Sequence, residues 1–201
     1  PGGHSWGAFG LINPAHVMSR AVHYFELAAD VYTRSGPKTS FNIGTVQGGT
    51  SVNSIPANVS MLVDMRSESQ DRLIEIDSIF HRSIYRAVDE MNGNRRSGDP
   101  LAVDIELIGD RPSGEIDSSE LLVQRAMAST TLLGLPPYLG RSSTDSNIPI
   151  SLGIPSITIG GGGIGVASHS PDEYYINQNG PRGIKRALLI LLSQAGLVPL
   201  S

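Results

Sequence analysis

The chain has 201 residues, of which 39% are hydrophobic and 17% charged, and its formal net charge is −4. This length suffices for one large domain or two small ones with a buried core. The acidic balance excludes a broadly basic nucleic-acid surface, and no apolar run approaches membrane-spanning length. Because the sequence contains no cysteine, disulfides and thiolate chemistry are excluded, and any metal site must use His and carboxylates. We expect a cytoplasmic protein that binds neither nucleic acid nor a membrane.

The first predicted element is a helix that begins at Asn13-Pro14. Asn is a favourable N-cap, and Pro is tolerated at the first helical position. Gly36 and Pro37 predict where the helix ends. Its apolar residues recur at helical spacing and form one face: Val17, Met18, Ala21, Val22, Phe25, Ala28 and Ala29.

Two strands and a second helix are predicted next. Apolar residues alternate with polar ones around Phe41 and Ile43, and again over residues 59–65. Glu68 or Ser69 then serves as the N-cap of a helix. The apolar face of that helix consists of Leu73, Ile76, Phe80, Ile84, Ala87 and Met91.

One further strand completes the first half, after a loop at residues 92–100. Val103, Ile105 and Leu107 alternate with acidic residues. The resulting order, α-β-β-α-β, is that of the ferredoxin-like split βαβ unit without its first strand. We therefore predict an α+β domain in which two helices cover one face of an antiparallel sheet. The opening segment, residues 1–5, has turn chemistry, so we expect the sequence to begin within a larger protein.

The second half is predicted to be part of an α/β layer. A connector at residues 109–116 precedes a helix that begins at residues 118–120 and ends near Leu133, before Gly134. A short helix is expected within residues 141–155.

A strand and a last helix follow in this half. Residues 156–159 are rich in β-branched side chains, which predicts a short buried strand, and glycines follow them. The last helix is predicted over residues 178–196. Its core face consists of Ile184, Ala187, Leu188, Leu191 and Leu192. Alternating strands and helices fit a sheet covered by helices, but this half is too thin to be a complete domain.

Two local motifs resemble a phosphate-binding loop and a hydrolase triad but lack the defining features of each. The glycine run at residues 160–165 lacks the Gly-Lys-Ser/Thr of a phosphate-binding loop. The neighbouring Ser170, His169 and Asp172 do not form a hydrolase triad, because triad members come from distant positions and no nucleophile elbow is present.

The five histidines divide into two groups. His16, His23 and His81 fall on predicted helices, where surface or structural roles are the ordinary interpretation. His4 follows two glycines in a tight turn that could present an imidazole to a ligand. His169 lies in a polar Ser-Pro-Asp-Glu-Tyr-Tyr context that can supply hydrogen-bond acceptors to a metal-binding imidazole.

Four segments in order carry a family resemblance: PGGHSWGAFGLINPAH, GTVQGGTSVNSIPANVSMLVDMRS, SSTDSNIPISLGIPSITIGGGG and ASHSPDEYY. Together they resemble the co-catalytic zinc exopeptidases and deacylases, which include glutamate carboxypeptidase, acetylornithine deacetylase, succinyl-diaminopimelate desuccinylase and peptidase T. The resemblance implies that residues 1–112 match the lid domain, which often mediates dimerisation, without its first strand. Residues 113–201 match the C-terminal part of the α/β catalytic domain of a metallopeptidase.

The resemblance also implies roles for three residues of the lid. His4 matches a histidine that, in dimeric members, reaches the active site of the partner subunit and helps to hold the developing oxyanion. Asn53 and Arg66 match positions that bind the carbonyl or carboxylate end of the substrate. By residue type alone, Asn53 would be a turn residue and Arg66 a strand-end surface residue.

In the second half the resemblance implies a metal ligand and a pocket lining. His169 matches the last metal ligand of a site that holds two ions, with zinc first and manganese or cobalt as alternatives. Thr144 and the backbone around Gly161 and Gly162 match segments that line the substrate pocket. The implied substrates are small peptides or N-acyl amino acids, and the implied assembly is a homodimer through the lid.

The sequence departs from the family in one respect. The remaining metal ligands and the general base of the family lie upstream of the lid, and this sequence has no such segment. We therefore expect the chain alone to bind zinc weakly and to hydrolyse nothing. Two other classes of function stay open, namely a non-catalytic dimerisation module and a regulatory protein that binds a small molecule or peptide.

Overall fold

The computed structural model describes residues 2–197, which divide into two compact units at the junction of Ser113 and Gly114. The first unit contains two long helices and four strands. Their bounds are β1 (Gly3–His4), α1 (Pro14–Thr33), β2 (Thr39–Gly48), β3 (Ser54–Ile55), β4 (Val59–Ser67) and α2 (Gln70–Gly93).

Both long helices begin where the sequence predicts. The Asn13 side chain accepts a 2.9 Å hydrogen bond from the Ala15 amide, so it satisfies an amide that has no partner within α1. Ser69 occupies the N-cap position of α2, where its carbonyl accepts the first helical hydrogen bond from Leu73 (3.0 Å).

The principal sheet of the first unit pairs β2 with β4 in antiparallel register, from Thr39 opposite Ser67 to Gly48 opposite Val59. A bulge at Gly44 shifts the register within β2. Side chains along β4 alternate between a face that packs on the helices and a face that is exposed. The predicted arrangement of two helices on one face of an antiparallel sheet is thereby confirmed.

The hydrophobic core of the first unit lies between α1, α2 and the sheet. Phe25 is fully buried at its centre, with its ring 5.1 Å from that of Phe41 and 5.2 Å from that of Phe80. Both pairs are edge-to-face, the arrangement that aromatic quadrupoles favour. The apolar faces predicted for both helices supply most of this core.

The strand predicted at residues 103–107 is wrong. The segment has no regular secondary structure, and only Leu101 and Ile105 of this stretch pack against the core. Two hydrogen bonds between the Asn92 side chain and the Leu101 backbone (2.8 and 2.9 Å) hold its start. A strand exists only when a neighbour completes its hydrogen bonds, and no other part of residues 2–197 pairs with this segment.

The second unit contains three helices and one hairpin. Their bounds are α3 (Leu121–Leu132), α4 (Asn147–Ser151), β5 (Ile164–Val166), β6 (Tyr174–Ile176) and α5 (Gly180–Ala195). The predicted helices are confirmed, and Gly134 follows α3 with a φ of 75°. The strand predicted at 156–159 is wrong, since no described segment pairs with it. Within residues 2–197 no helix has both the length and the apolarity needed to cross a membrane.

The core face predicted for α5 is also wrong. Gly183 and Ile190 are the buried residues of this helix, whereas Ile184, Leu188 and Leu191 are exposed. The Gly161 carbonyl occupies the space that a Cβ at Gly183 would need. The helix therefore turns its glycine toward the neighbouring loop, because only a residue without a side chain permits that close approach.

Candidate functional site

A short two-stranded bridge brings two of the predicted site residues together. β1 pairs with β3, with Gly3 opposite Ile55 and His4 opposite Ser54. The next residue along, Ser5, donates its amide to the Asn53 carbonyl at 2.8 Å. His4 and Asn53 are far apart in the sequence, and the bridge places them at the same end of one small sheet.

The turn after His4 fixes how its imidazole is presented. The ring nitrogen Nδ1 accepts hydrogen bonds from the amides of Trp6 (3.3 Å) and Gly7 (3.5 Å). The His4 carbonyl accepts from the Ala8 amide at 2.8 Å, which closes the turn. Since Nδ1 acts as an acceptor, the neutral ring carries its proton on Nε2. His4 thus offers an Nε2–H donor from an exposed position.

The Asn53 side chain is oriented by its own loop. The Ser51 hydroxyl donates to Oδ1 of Asn53. The backbone amide of Asn53 in turn donates to Ser51 Oγ at 3.5 Å. This mutual arrangement is typical of a polar turn. With Oδ1 engaged, the group that Asn53 has left to offer is its NH2 donor.

Arg66 lies on the other sheet, on the exposed face of β4 opposite Ser40. Its Nε donates to Asp64 Oδ2 at 2.8 Å. Both side chains are largely exposed, so this pair contributes little to stability. The guanidinium presents several donors in one plane, a geometry suited to a carboxylate.

His169 lies in the loop that joins β5 to β6. Its φ of 66° is in the left-handed region, which is uncommon for a residue other than glycine. The His169 amide donates to Glu173 Oε2 at 3.1 Å, and Ser170 and Glu173 close two further turns in the loop. Residues held in such a conformation cluster at functional sites, and this loop displays the imidazole to solvent.

A metal site requires more ligands than the described residues bring to His169. Catalytic zinc is normally held by three protein ligands, and nowhere in residues 2–197 do three His, Asp or Glu side chains converge. The carboxylate of Glu173 is engaged with the His169 backbone. The residues described here therefore do not fit a metal site that is complete in itself.

The remaining predicted residues sit in tightly packed loops of the second unit. Thr144 Oγ1 is 2.7 Å from the hydroxyl of Thr158, and the Thr144 amide donates to Asn147 Oδ1 at 2.9 Å. Gly162 has a φ of 89°, and a Cβ there would press on Gly180. Close packing against α5 thus accounts for the glycine at this position.

A cavity of about 400 Å³ borders the glycine loop and the first turns of α5. Gly160, Gly162, Arg182 and Arg186 line it, and Arg186 donates to the Gly160 carbonyl. Neither these arginines nor the backbone amides of Trp6 and Gly7 were predicted from the sequence. The Gly-Gly-His-Ser-Trp-Gly segment indicated a turn, in which backbone amides are available as donors. It did not indicate that these amides donate to Nδ1 of His4.

Comparison with known proteins finds a family match within the first unit. Residues 2–90 match the family described as the peptidase dimerisation domain. This part of the chain is therefore similar to a peptidase dimerisation domain. The resemblance to the exopeptidase and deacylase family is thereby confirmed. None of the curated proteins compared matches the chain.

Solved structures of similar fold include two peptidases. An aminopeptidase PepT from Bacillus cereus ATCC 10987 is 17% identical (TM-score 0.66). The match includes 97% of this chain and 49% of the PepT chain. A tripeptidase from Staphylococcus aureus subsp. aureus mu50 is 20% identical (TM-score 0.68), with coverage of 96% and 48%. AtUAH in complex with glyoxylate is 17% identical (TM-score 0.69), with coverage of 96% and 44%. The chain spans about half the length of these proteins, and at such identity the likeness concerns the fold.

Proposed function

We propose that the chain is the lid and the C-terminal catalytic part of a hydrolase that cleaves small peptides or N-acyl amino acids. The observation that carries the proposal is the bridge that joins His4 to Asn53 within a peptidase dimerisation domain. On this proposal the lid corresponds to residues 1–112 and the catalytic part to residues 113–201.

The lid residues supply hydrogen-bond donors to the substrate. His4 donates its Nε2–H to the scissile carbonyl oxygen, where negative charge develops as the bond is attacked. Asn53 donates its NH2 to a neighbouring carbonyl, and Arg66 pairs with the substrate carboxylate. Because Nδ1 of His4 is already held by two backbone amides, little reorganisation of the ring is needed. Thr144, Gly161 and Gly162 line the pocket on the catalytic side.

The enzyme as a whole is proposed to use a metal, with His169 as one ligand. Zinc, as two ions, is the first candidate, and manganese or cobalt are alternatives. Since the described residues do not bring three ligands together, the other ligands must come from polypeptide outside residues 2–197. We infer that the 201-residue chain alone is inactive.

We also propose a homodimer formed through the lid, which the family match of residues 2–90 supports. In the dimer, His4 of one subunit is proposed to reach the active site of the other. The absence of cysteine is compatible with the cytoplasmic location that we infer.

The test compares this chain with a polypeptide extended upstream by a further half. Elemental analysis should find close to two metal ions per extended polypeptide and almost none in the 201-residue chain. The polypeptide that binds the metal should also hydrolyse tripeptides or N-acyl amino acids, and the polypeptide without metal should not. Stoichiometric metal in the short chain would show that it builds its own site, and an extended polypeptide that binds metal but hydrolyses neither substrate class would reject the proposal.

A non-catalytic dimerisation module is the second candidate. It is favoured by the family description of residues 2–90 and by a chain that spans half of its structural relatives. A molecular mass in solution that rises with protein concentration, together with no activity in the extended polypeptide, would support this candidate.

A further inference from the structure

Two large apolar side chains flank the bridge that carries His4 and Asn53. Trp6 is 88% exposed and Val52 is fully exposed. The hydrogen bond from Ser5 to Asn53 ties their two segments together, since Trp6 follows Ser5 and Val52 precedes Asn53 in the sequence. Both residues therefore lie next to the end of the bridge that carries His4 and Asn53.

The position of Trp6 relative to His4 is fixed by backbone hydrogen bonds. Its amide donates to Nδ1 of the His4 ring at 3.3 Å, and the turn is closed by the bond from Ala8 to the His4 carbonyl. The residue that bears the indole is thus also the one whose backbone amide orients the imidazole. An apolar group borne by a residue so close to a polar donor suits a ligand that carries both a carbonyl and an apolar side chain.

The size of this surface favours a small ligand over a protein. A stable protein interface buries about 800 Å² on each partner, whereas a tryptophan buries roughly 150–250 Å² and a valine less. The two side chains together cannot supply such an interface. They match the area that one apolar side chain of a peptide or N-acyl amino acid can cover.

We propose that Trp6 and Val52 form an apolar contact that receives the non-polar side chain of the ligand whose carbonyl His4 binds. The ligand class, small peptides or N-acyl amino acids, rests on the proposed function. The contact makes the lid itself a determinant of specificity, with preference for ligands that have a large apolar side chain over those with glycine.

The test uses the fluorescence of Trp6, which is the only tryptophan of the chain. The 201-residue protein is titrated with N-acetylleucine and with N-acetylglycine, which differ only in the side chain. N-acetylleucine should shift the emission to shorter wavelength and lower acrylamide quenching saturably, with an affinity at least about tenfold higher than that of N-acetylglycine. Equal responses, or no response to either ligand, would overturn the proposal. Emission that depends on protein concentration and not on ligand would place Trp6 in a protein interface and would equally overturn it.

Two variants that keep the tryptophan sharpen the test. Val52→Ser should weaken N-acetylleucine binding severalfold and leave N-acetylglycine binding unchanged. Phe9→Ala is the matched control, because Phe9 is an exposed aromatic of the same segment whose ring lies under the Arg96 guanidinium at 5.5 Å. An unchanged affinity in Val52→Ser, or an equal loss in Phe9→Ala, would contradict the assignment.

This readout is separate from the test of the proposed function, because it needs neither metal nor turnover. A leucine preference in an extended polypeptide without hydrolytic activity would retain the apolar contact and reject the hydrolase. Hydrolysis without a leucine preference in the fluorescence titration would retain the hydrolase and reject the contact.

Discussion

The phenol of Tyr24 donates a 2.6 Å hydrogen bond to the carboxylate of Glu90, and this bond joins α1 to α2. Arg86 donates to the second carboxylate oxygen at 2.9 Å, and its guanidinium lies 4.0 Å from the Tyr24 ring centroid. Arg20 adds a third donor at 3.2 Å. These partners, Tyr24 first and Arg86 next, lower the pKa of Glu90 from 4.5 to about 2.

Acid stability should depend on this carboxylate. Because the pKa of Glu90 is lower in the folded state, its contribution is complete above pH 4.5 and is lost as the pH falls toward about 2. Tyr24→Phe removes the main cause, so the acid-unfolding midpoint followed by circular dichroism should move to higher pH. Tyr85→Phe, at an exposed tyrosine of α2, is the control. A midpoint that Tyr24→Phe leaves in place would show that the hydrogen bond does not matter.

Phe25→Ala should be the most destabilising simple truncation of the first unit. It removes a fully buried ring that contacts Phe41 and Phe80, and such changes cost about 3–5 kcal/mol. Urea unfolding measures the loss. Leu27→Ala, at an exposed position of the same helix, should change the free energy of unfolding by about 0.5 kcal/mol or less. A loss below about 1 kcal/mol for Phe25→Ala would mean that the described core is not the one that stabilises the unit.

His4→Ala in the polypeptide extended upstream should reduce kcat by about 100–1,000-fold, the usual cost of losing an oxyanion donor. Metal content should stay unchanged, since His4 is not a proposed ligand. Steady-state kinetics with a tripeptide, together with elemental analysis, provide both readouts. His16→Ala, at an exposed histidine on α1, should have normal activity. Equal turnover in wild type and His4→Ala would reject the role of this imidazole.

Self-association should involve the exposed apolar residues of α1. Leu27 and Val31 are one turn apart on this helix, and both are exposed, which suits a helix face buried in a dimer. A Leu27→Glu/Val31→Glu double variant should weaken the dimer about tenfold or more, as measured by sedimentation equilibrium. Ile74→Glu, at an exposed position on α2, should not. Equal dissociation constants for both variants would exclude α1 from the interface.

The long helices were predictable because each carries its own signals. The cap at Asn13, the proline after it and the apolar spacing that includes Phe25 all lie within one stretch of sequence. Local signals also predicted β2 and β4, where alternation spans many residues. The predictions failed at 103–107 and 156–159, because an apolar alternating segment becomes a strand only beside a partner.

The sequence by itself determined the helices, the strands β2 and β4 and the family resemblance, because caps, periodicity and motif order are properties of neighbouring residues. It also singled out His4, Asn53 and His169 as residues of interest. Tertiary structure alone decided that a bridge joins His4 to Asn53 and that backbone amides hold Nδ1 of His4. It also decided that α5 buries Gly183 and exposes Leu188. Those outcomes depend on which distant segments approach each other, and hydrogen bonds and close packing set that approach in three dimensions.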